Sequence, residues 1–121
     1  MLDVKKLLDE SNMIWVDYAK GESYQIRFIT DERVRLEFSR EKKLEKETKI
    51  EADSNDLMIK IACLAVNDWK GITANKEPYP CTEENKKIIF SKFNNRVLFI
   101  WARCKEESLF LGEELEEDLK N

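Results

Sequence analysis

At 121 residues the chain has room for one domain with a real core, and 38% charged against 42% hydrophobic residues suits a helix-rich protein with heavily charged solvent faces. With no histidine anywhere, Ser-His and Cys-His nucleophiles, imidazole metal ligands and a histidine pH switch are excluded. The net charge of −4 offers no global attraction for nucleic acid, and the longest apolar runs, 61–66 and 97–102, are too short to span a bilayer.

In chain order, Leu2, Val4, Leu7 and Leu8 fit one or two helical turns, stopped at Ser11-Asn12. This N-terminus lacks the apolar core of a signal peptide, so the chain is expected to be soluble and to stay where it is made. Ile14-Trp15-Val16 is β-branched and aromatic, and Tyr24, Ile26 and Phe28 alternate with polar residues. With Gly21 between them, 13–30 reads as a β-hairpin, 13–18 paired with 23–30. A lone hairpin is marginal in water, so its apolar face must pack on something downstream.

Over 31–49 two readings compete. Val34, Leu36 and Phe38 alternate as in a strand, whereas Thr30-Asp31-Glu32 starts a helix and 40–49 is dense in Glu and Lys. The helix is favoured, from about 31 to 47. Its cluster of Arg33, Arg35, Arg40, Lys42 and Lys43 reads either as a partner or nucleic-acid patch or as a solvated face of mixed sign, the second being favoured.

Asp53-Ser54-Asn55-Asp56 supplies N-caps for a core helix over 53–69, its stripe formed by Leu57, Ile61, Leu64 and Ala65 and widened by Met58, Ala62 and Val66. This helix is expected to end near Asp68-Trp69, with Gly71 at or just past its C-terminal cap. Those four cap candidates lack the glycine and glutamate spacing of a calcium loop, so no metal role is assigned. Trp69, Gly71, Pro78, Tyr79 and Pro80 then read as a structural loop pinned by its own aromatics, with Trp69 and Tyr79 stapling two helices.

Thr82 with Glu83 and Glu84 opens a second helical region, 82–111, either a helical hairpin or one kinked helix, interrupted at Asn94-Asn95. The run Val97-Leu98-Phe99-Ile100-Trp101-Ala102 could be a buried strand, but Val97, Ile100, Trp101 and Cys104 continue one helix face. Leu98 and Phe99 would then need a second surface, such as another subunit of a homo-oligomer. The acidic stretch 112–121 reads as a weakly amphipathic tail, with Leu111, Leu115 and Leu119 four apart.

Cys63, Cys81 and Cys104 have no CxxC spacing and are expected to be reduced and non-catalytic. Glycines at 21, 71 and 112 alone cannot build a phosphate loop. No catalytic, cofactor-binding or metal residue is assigned, and an enzyme is not expected. Phe90, Phe93, Phe99, Trp101 and Phe110 are the candidate partner-binding aromatics; filling the domain's own core is an equal alternative. The fold class expected is α+β, an N-terminal β-hairpin packed on a mainly α-helical domain, all one unit over 1–121.

Val66-Asn67-Asp68-Trp69-Lys70-Gly71-Ile72-Thr73, then Glu77-Pro78-Tyr79-Pro80 and Cys81-Thr82-Glu83-Glu84-Asn85, resembles small tail-assembly proteins of long-tailed bacteriophages and prophages. The match is best over 57–102. Lys76 stands where such a turn often has glycine, and nothing after Gly112 matches. The resemblance implies a non-enzymatic tail assembly chaperone touching a phage structural protein such as the tape-measure or tail-tube protein, in the host bacterial cytoplasm or the virion. Alternatives are a structural head–tail or tail component, or a nucleic-acid-associated phage regulator using the basic cluster near 33–43.

Overall fold

The computed structural model describes residues 2–49 and 54–112, Ser54 by its backbone alone. It is an α+β structure in which helices cover one face of a three-stranded antiparallel sheet. The first helix, α1 (Val4–Leu8), is capped by Asp3, whose carboxylate accepts from the Lys6 amide at 3.1 Å. The stop at residue 12 is also a clasp: the Asn12 side-chain amide donates to the carbonyls of Lys6 (2.9 Å) and Phe110 (3.1 Å).

The expected hairpin is present as β1 (Met13–Ala19) and β2 (Glu22–Arg27), with Ile14 opposite Ile26 and Val16 opposite Tyr24. Period two sends these four to the helix-covered face, where Tyr24 and Ile26 are fully buried. The Arg96 guanidinium grips Glu22 through two bonds, 2.7 and 2.8 Å, and ties the turn end of the hairpin to a later helix. The helical reading of the next segment holds as α2 (Asp31–Thr48), whose Thr30 cap accepts from the Arg33 amide at 3.1 Å. The alternation of Val34, Leu36 and Phe38 therefore scatters around a helix, and Leu36 and Phe38 are left 45% and 50% exposed.

The core helix is shorter than expected. It runs as α3 (Ser54–Ala65), and Val66–Lys70 is not its last turn but β3, the third strand of the sheet. Two physical causes combine. The Lys86 ammonium, 5% exposed in the residue as a whole, donates to the carbonyls of Cys63 (3.0 Å) and Val66 (2.8 Å) and so satisfies carbonyls that a further turn would have bonded. The β2–β3 register then slips between Gln25 and Ile26, so that Val66 pairs with Ile26 while Trp69 pairs with Tyr24. This bulge at Asn67 puts two residues three apart on the same buried face, a spacing that in sequence imitates a helix. The cap candidate Asp53 lies outside the described residues.

The loop holds a small ladder of its own, β4 (Thr73–Ala74) against β5 (Glu77–Pro78). Its two-residue turn has positive φ at both Asn75 (52°) and Lys76 (67°), the type I′ geometry in which glycine is the usual second residue. Region 82–111 is neither a hairpin nor one kinked helix but three helices: α4 (Glu83–Lys92), α5 (Asn94–Cys104) and α6 (Glu107–Leu111). Thr82 caps α4 as expected, accepting from the Asn85 amide at 3.1 Å. The run 97–102 is helical, with Val97, Ile100 and Cys104 buried. Phe99 meets Tyr18 edge-on at 5.2 Å, whereas Leu98 stays exposed. Of the expected acidic tail, only Gly112 is among the described residues. No described helix is long and apolar enough to cross a membrane.

Lys86→Met, which keeps the stem and removes the donor, should destabilise the fold by about 2–3 kcal/mol because two buried carbonyls lose a charged partner. Chemical denaturation with far-UV detection reads this directly.

Candidate functional site

The loop residues do converge, though on a sheet and not on two helices. Trp69 sits on β3, 6% exposed, and its indole N–H donates to the Tyr79 carbonyl at 2.6 Å. The Tyr79 ring stacks on it at 6.2 Å and 17°. Tyr24 of β2 and Phe90 of α4 both meet the indole edge-on at 6.5 Å. The staple expected between helices therefore joins the sheet to the loop and to α4. Gly71 is required here by space as well as by its φ of +82°: a Cβ would lie 1.6 Å from the Gly21 carbonyl oxygen of the hairpin turn. Pro78 and Pro80 are exposed, and the Pro80 carbonyl accepts from the Asn85 side-chain amide at 2.9 Å.

The five partner-binding aromatics do not form one surface. Phe90 and Phe110 are buried in the core, Phe99 and Trp101 are partly buried, and Phe93 alone of the five is exposed, at 46%. Trp101 is bonded inward, its indole N–H donating to the Met58 carbonyl at 2.9 Å. Core filling accounts for most of this set.

The charged segment for which the sequence favours a solvated face over a partner patch is α2. Turning ~100° per residue, the helix lays Val34, Glu37, Glu41 and Glu45 along one face. All four are less exposed than their neighbours, and Glu37 is 1% exposed. Glu37 is met by Arg33 (3.2 Å) and Arg40 (2.8 Å) of its own helix and by Lys60 of α3 (3.0 Å), which also reaches Glu41 at 3.3 Å. The cover is a layer of cationic stems, each itself well exposed at the surface. Burial alone would raise the Glu37 pKa; the Lys60 hydrogen bond and the charges of Lys60, Arg40 and Arg33 outweigh it and hold the carboxyl below the usual glutamate range.

Arg33 and Arg40 of the expected basic cluster are thus committed to an internal carboxylate. Arg35, Lys42 and Lys43, joined by Lys46, face solvent. In the middle of α2 the acids Glu37, Glu41 and Glu45 lie on the inner face, whereas toward its ends Asp31, Glu32 and Glu47 are exposed, so the solvated face carries both signs with the cations concentrated over 35–46. Spacing could have revealed this, since Glu37, Glu41 and Glu45 are four apart, but which face is buried depends on Lys60, nineteen residues beyond Glu41.

Burial raises the pKa of Cys63, pushes that of Cys81 to about 11 and that of Cys104 to about 12, so all three are protonated thiols at neutral pH. Among the described residues no group of three or more acids and cysteines could hold a metal ion. Comparison with family models, with curated proteins and with solved structures returns no match to this chain.

Trp69→Ala should cost about 3–5 kcal/mol through the cavity it leaves. Trp69→Phe keeps the ring contacts and loses the N–H donor, so about 1 kcal/mol is expected, read from the same denaturation curves. For Glu37 the folded pKa is depressed, so its stabilisation is fully present above the unfolded pKa and is lost as pH falls through the folded one. Glu37→Gln should therefore lower the melting temperature near neutral pH, with the difference from wild type closing on the acid side of the glutamate range.

Proposed function

We propose that this chain is a non-enzymatic tail assembly factor of a long-tailed bacteriophage or prophage, a tail assembly chaperone by class. It acts in the host cytoplasm through contacts with a structural protein such as the tape-measure or tail-tube protein. The observation that carries the reading is the connectedness of the resembling residues. Trp69 bonds and stacks on Tyr79, Gly71 abuts the hairpin turn, and Thr82 and Asn85 close the loop onto α4 through the Pro80 carbonyl. The stretch that resembles the phage proteins is one folded unit, its matching residues closed onto one another by these bonds.

Action by contact is supported by large apolar side chains turned to solvent on helices, including Leu36, Phe38 and Leu44 of α2 and Phe93 and Leu98 at α5. The protonated, desolvated thiols argue against thiolate nucleophiles. A permanent structural tail component would use the same contacts and differ only by remaining in the particle.

Co-expression with tape-measure or tail-tube protein should yield a stoichiometric complex, and loss of the gene should give absent or aberrant tails. No complex together with normal tails would overturn the proposal. Mass spectrometry of purified virions should find the chain absent; finding it at stoichiometric level would make it a structural component.

A further inference from the structure

We infer that the outward face of α2 is a docking surface for an acidic, amphipathic helical segment of the partner protein. The inference rests on the protein-contact reading above and names the chemistry of the contact. Arg35, Lys42 and Lys46 form a row about 16 Å long, some three turns of helix. Lys43 lies beside the row, and Phe38 and Leu36 flank it on its two sides, each about half exposed. Lys42 makes only a 3.6 Å contact with Glu45 and lies over the Phe38 ring at 5.5 Å. Lys43 and Lys46 have no ion-pair partner among the described residues.

The sorting of charge is what makes this face unlike an ordinary solvated helix. An exposed helix gains most from interleaved signs at four-residue spacing. Here Glu37 and Glu41 are turned to Lys60 of α3, and Glu45 lies 3.6 Å from Lys42. The exposed acids Asp31, Glu32 and Glu47 sit toward the helix ends, so the middle of the outer face keeps a positive excess on a chain whose net charge is −4. A complementary occupant brings carboxylates to the row and apolar side chains to Phe38 and Leu36. A partner helix of a few turns does both. A nucleic acid would satisfy the cations and could stack a base on Phe38, but it gives the aliphatic Leu36 no apolar partner, and the acidic remainder of the chain repels it.

The test uses the full chain. The probe is a designed peptide of about 20 residues with leucines at helical spacing and glutamates elsewhere, read by fluorescence anisotropy. Its controls are the lysine counterpart and a single-stranded DNA of similar length. The acidic peptide should bind best, with affinity falling as salt rises. The triple variant Arg35→Glu, Lys43→Glu, Lys46→Glu should lose at least roughly tenfold while keeping the wild-type melting temperature, because these three side chains lie outside the Glu37 cluster.

Equal binding by the variant, or tighter binding of the DNA, would overturn the inference. So would binding that appears only when Glu113, Glu114, Glu116, Glu117 and Asp118 are neutralised to their amides, since those residues share the probe's chemistry and the occupant would then be this chain's own tail. The tail-assembly reading is tested separately. Tail proteins captured equally by wild type and variant sink the docking face alone, whereas peptide binding without capture of any tail protein sinks the tail reading alone.

Discussion

The Lys86 ammonium decides how the middle of this protein is built. Placed at the C-terminal end of α3, it takes the carbonyls of Cys63 and Val66, and the chain leaves the helix at Ala65 with no glycine to help it. From that point Val66 and Trp69 can pair with β2, which turns a two-stranded hairpin into a three-stranded sheet. A lone hairpin has little stability of its own, and the third strand together with the helices gives it an apolar interior to close on. Glu83, 2.7 Å from the same ammonium, sits in the first turn of α4 and so couples the start of that helix to the end of α3.

The Trp69 loop depends on this arrangement. Because β3 ends beside the hairpin turn, Gly71 passes against the Gly21 carbonyl, and the loop leaves at an angle that returns Tyr79 over the indole. Lys76 takes a left-handed backbone where glycine would be unstrained, a cost the surrounding ladder and the Tyr79–Ile72 backbone bond at 2.8 Å must offset. The loop is bonded into the scaffold through the Trp69–Tyr79 contacts and the Tyr79–Ile72 backbone bond. By contrast, α2 packs against α3 through charge and turns apolar side chains outward.

That inversion has an energetic logic. A buried carboxylate is costly unless it is paired, and Glu37 is paired three times over. Using acids on the inner face frees the cations of the outer face from internal duty, so one cluster both anchors the helix and sets the field it presents. Glu22 with Arg96 performs the anchoring half of this role at the hairpin turn, where the guanidinium also lies over the Tyr18 ring at 4.7 Å.

The elements that local chemistry specifies were legible from residues alone. Thr30 and Thr82 cap helices where their hydroxyls predict, the strands on either side of Gly21 pair as their alternation requires, and the α+β class follows from those pieces. What local chemistry leaves open was decided by contacts far apart in sequence. Val66 and Trp69 are three apart on either reading, and only the bulge opposite Ile26 and the ammonium twenty residues onward make them a strand. The charges of α2 look mixed when read in a line, and only Lys60 shows which of its acids, Glu37 and Glu41, are taken to the inner face. Whether Phe90 or Phe93 meets solvent likewise depends on which side of a helix finds the sheet. A sequence determines its own caps, turns and periodicities because those forces act within a few residues; burial is a property of the assembled whole, and only the tertiary structure could assign it.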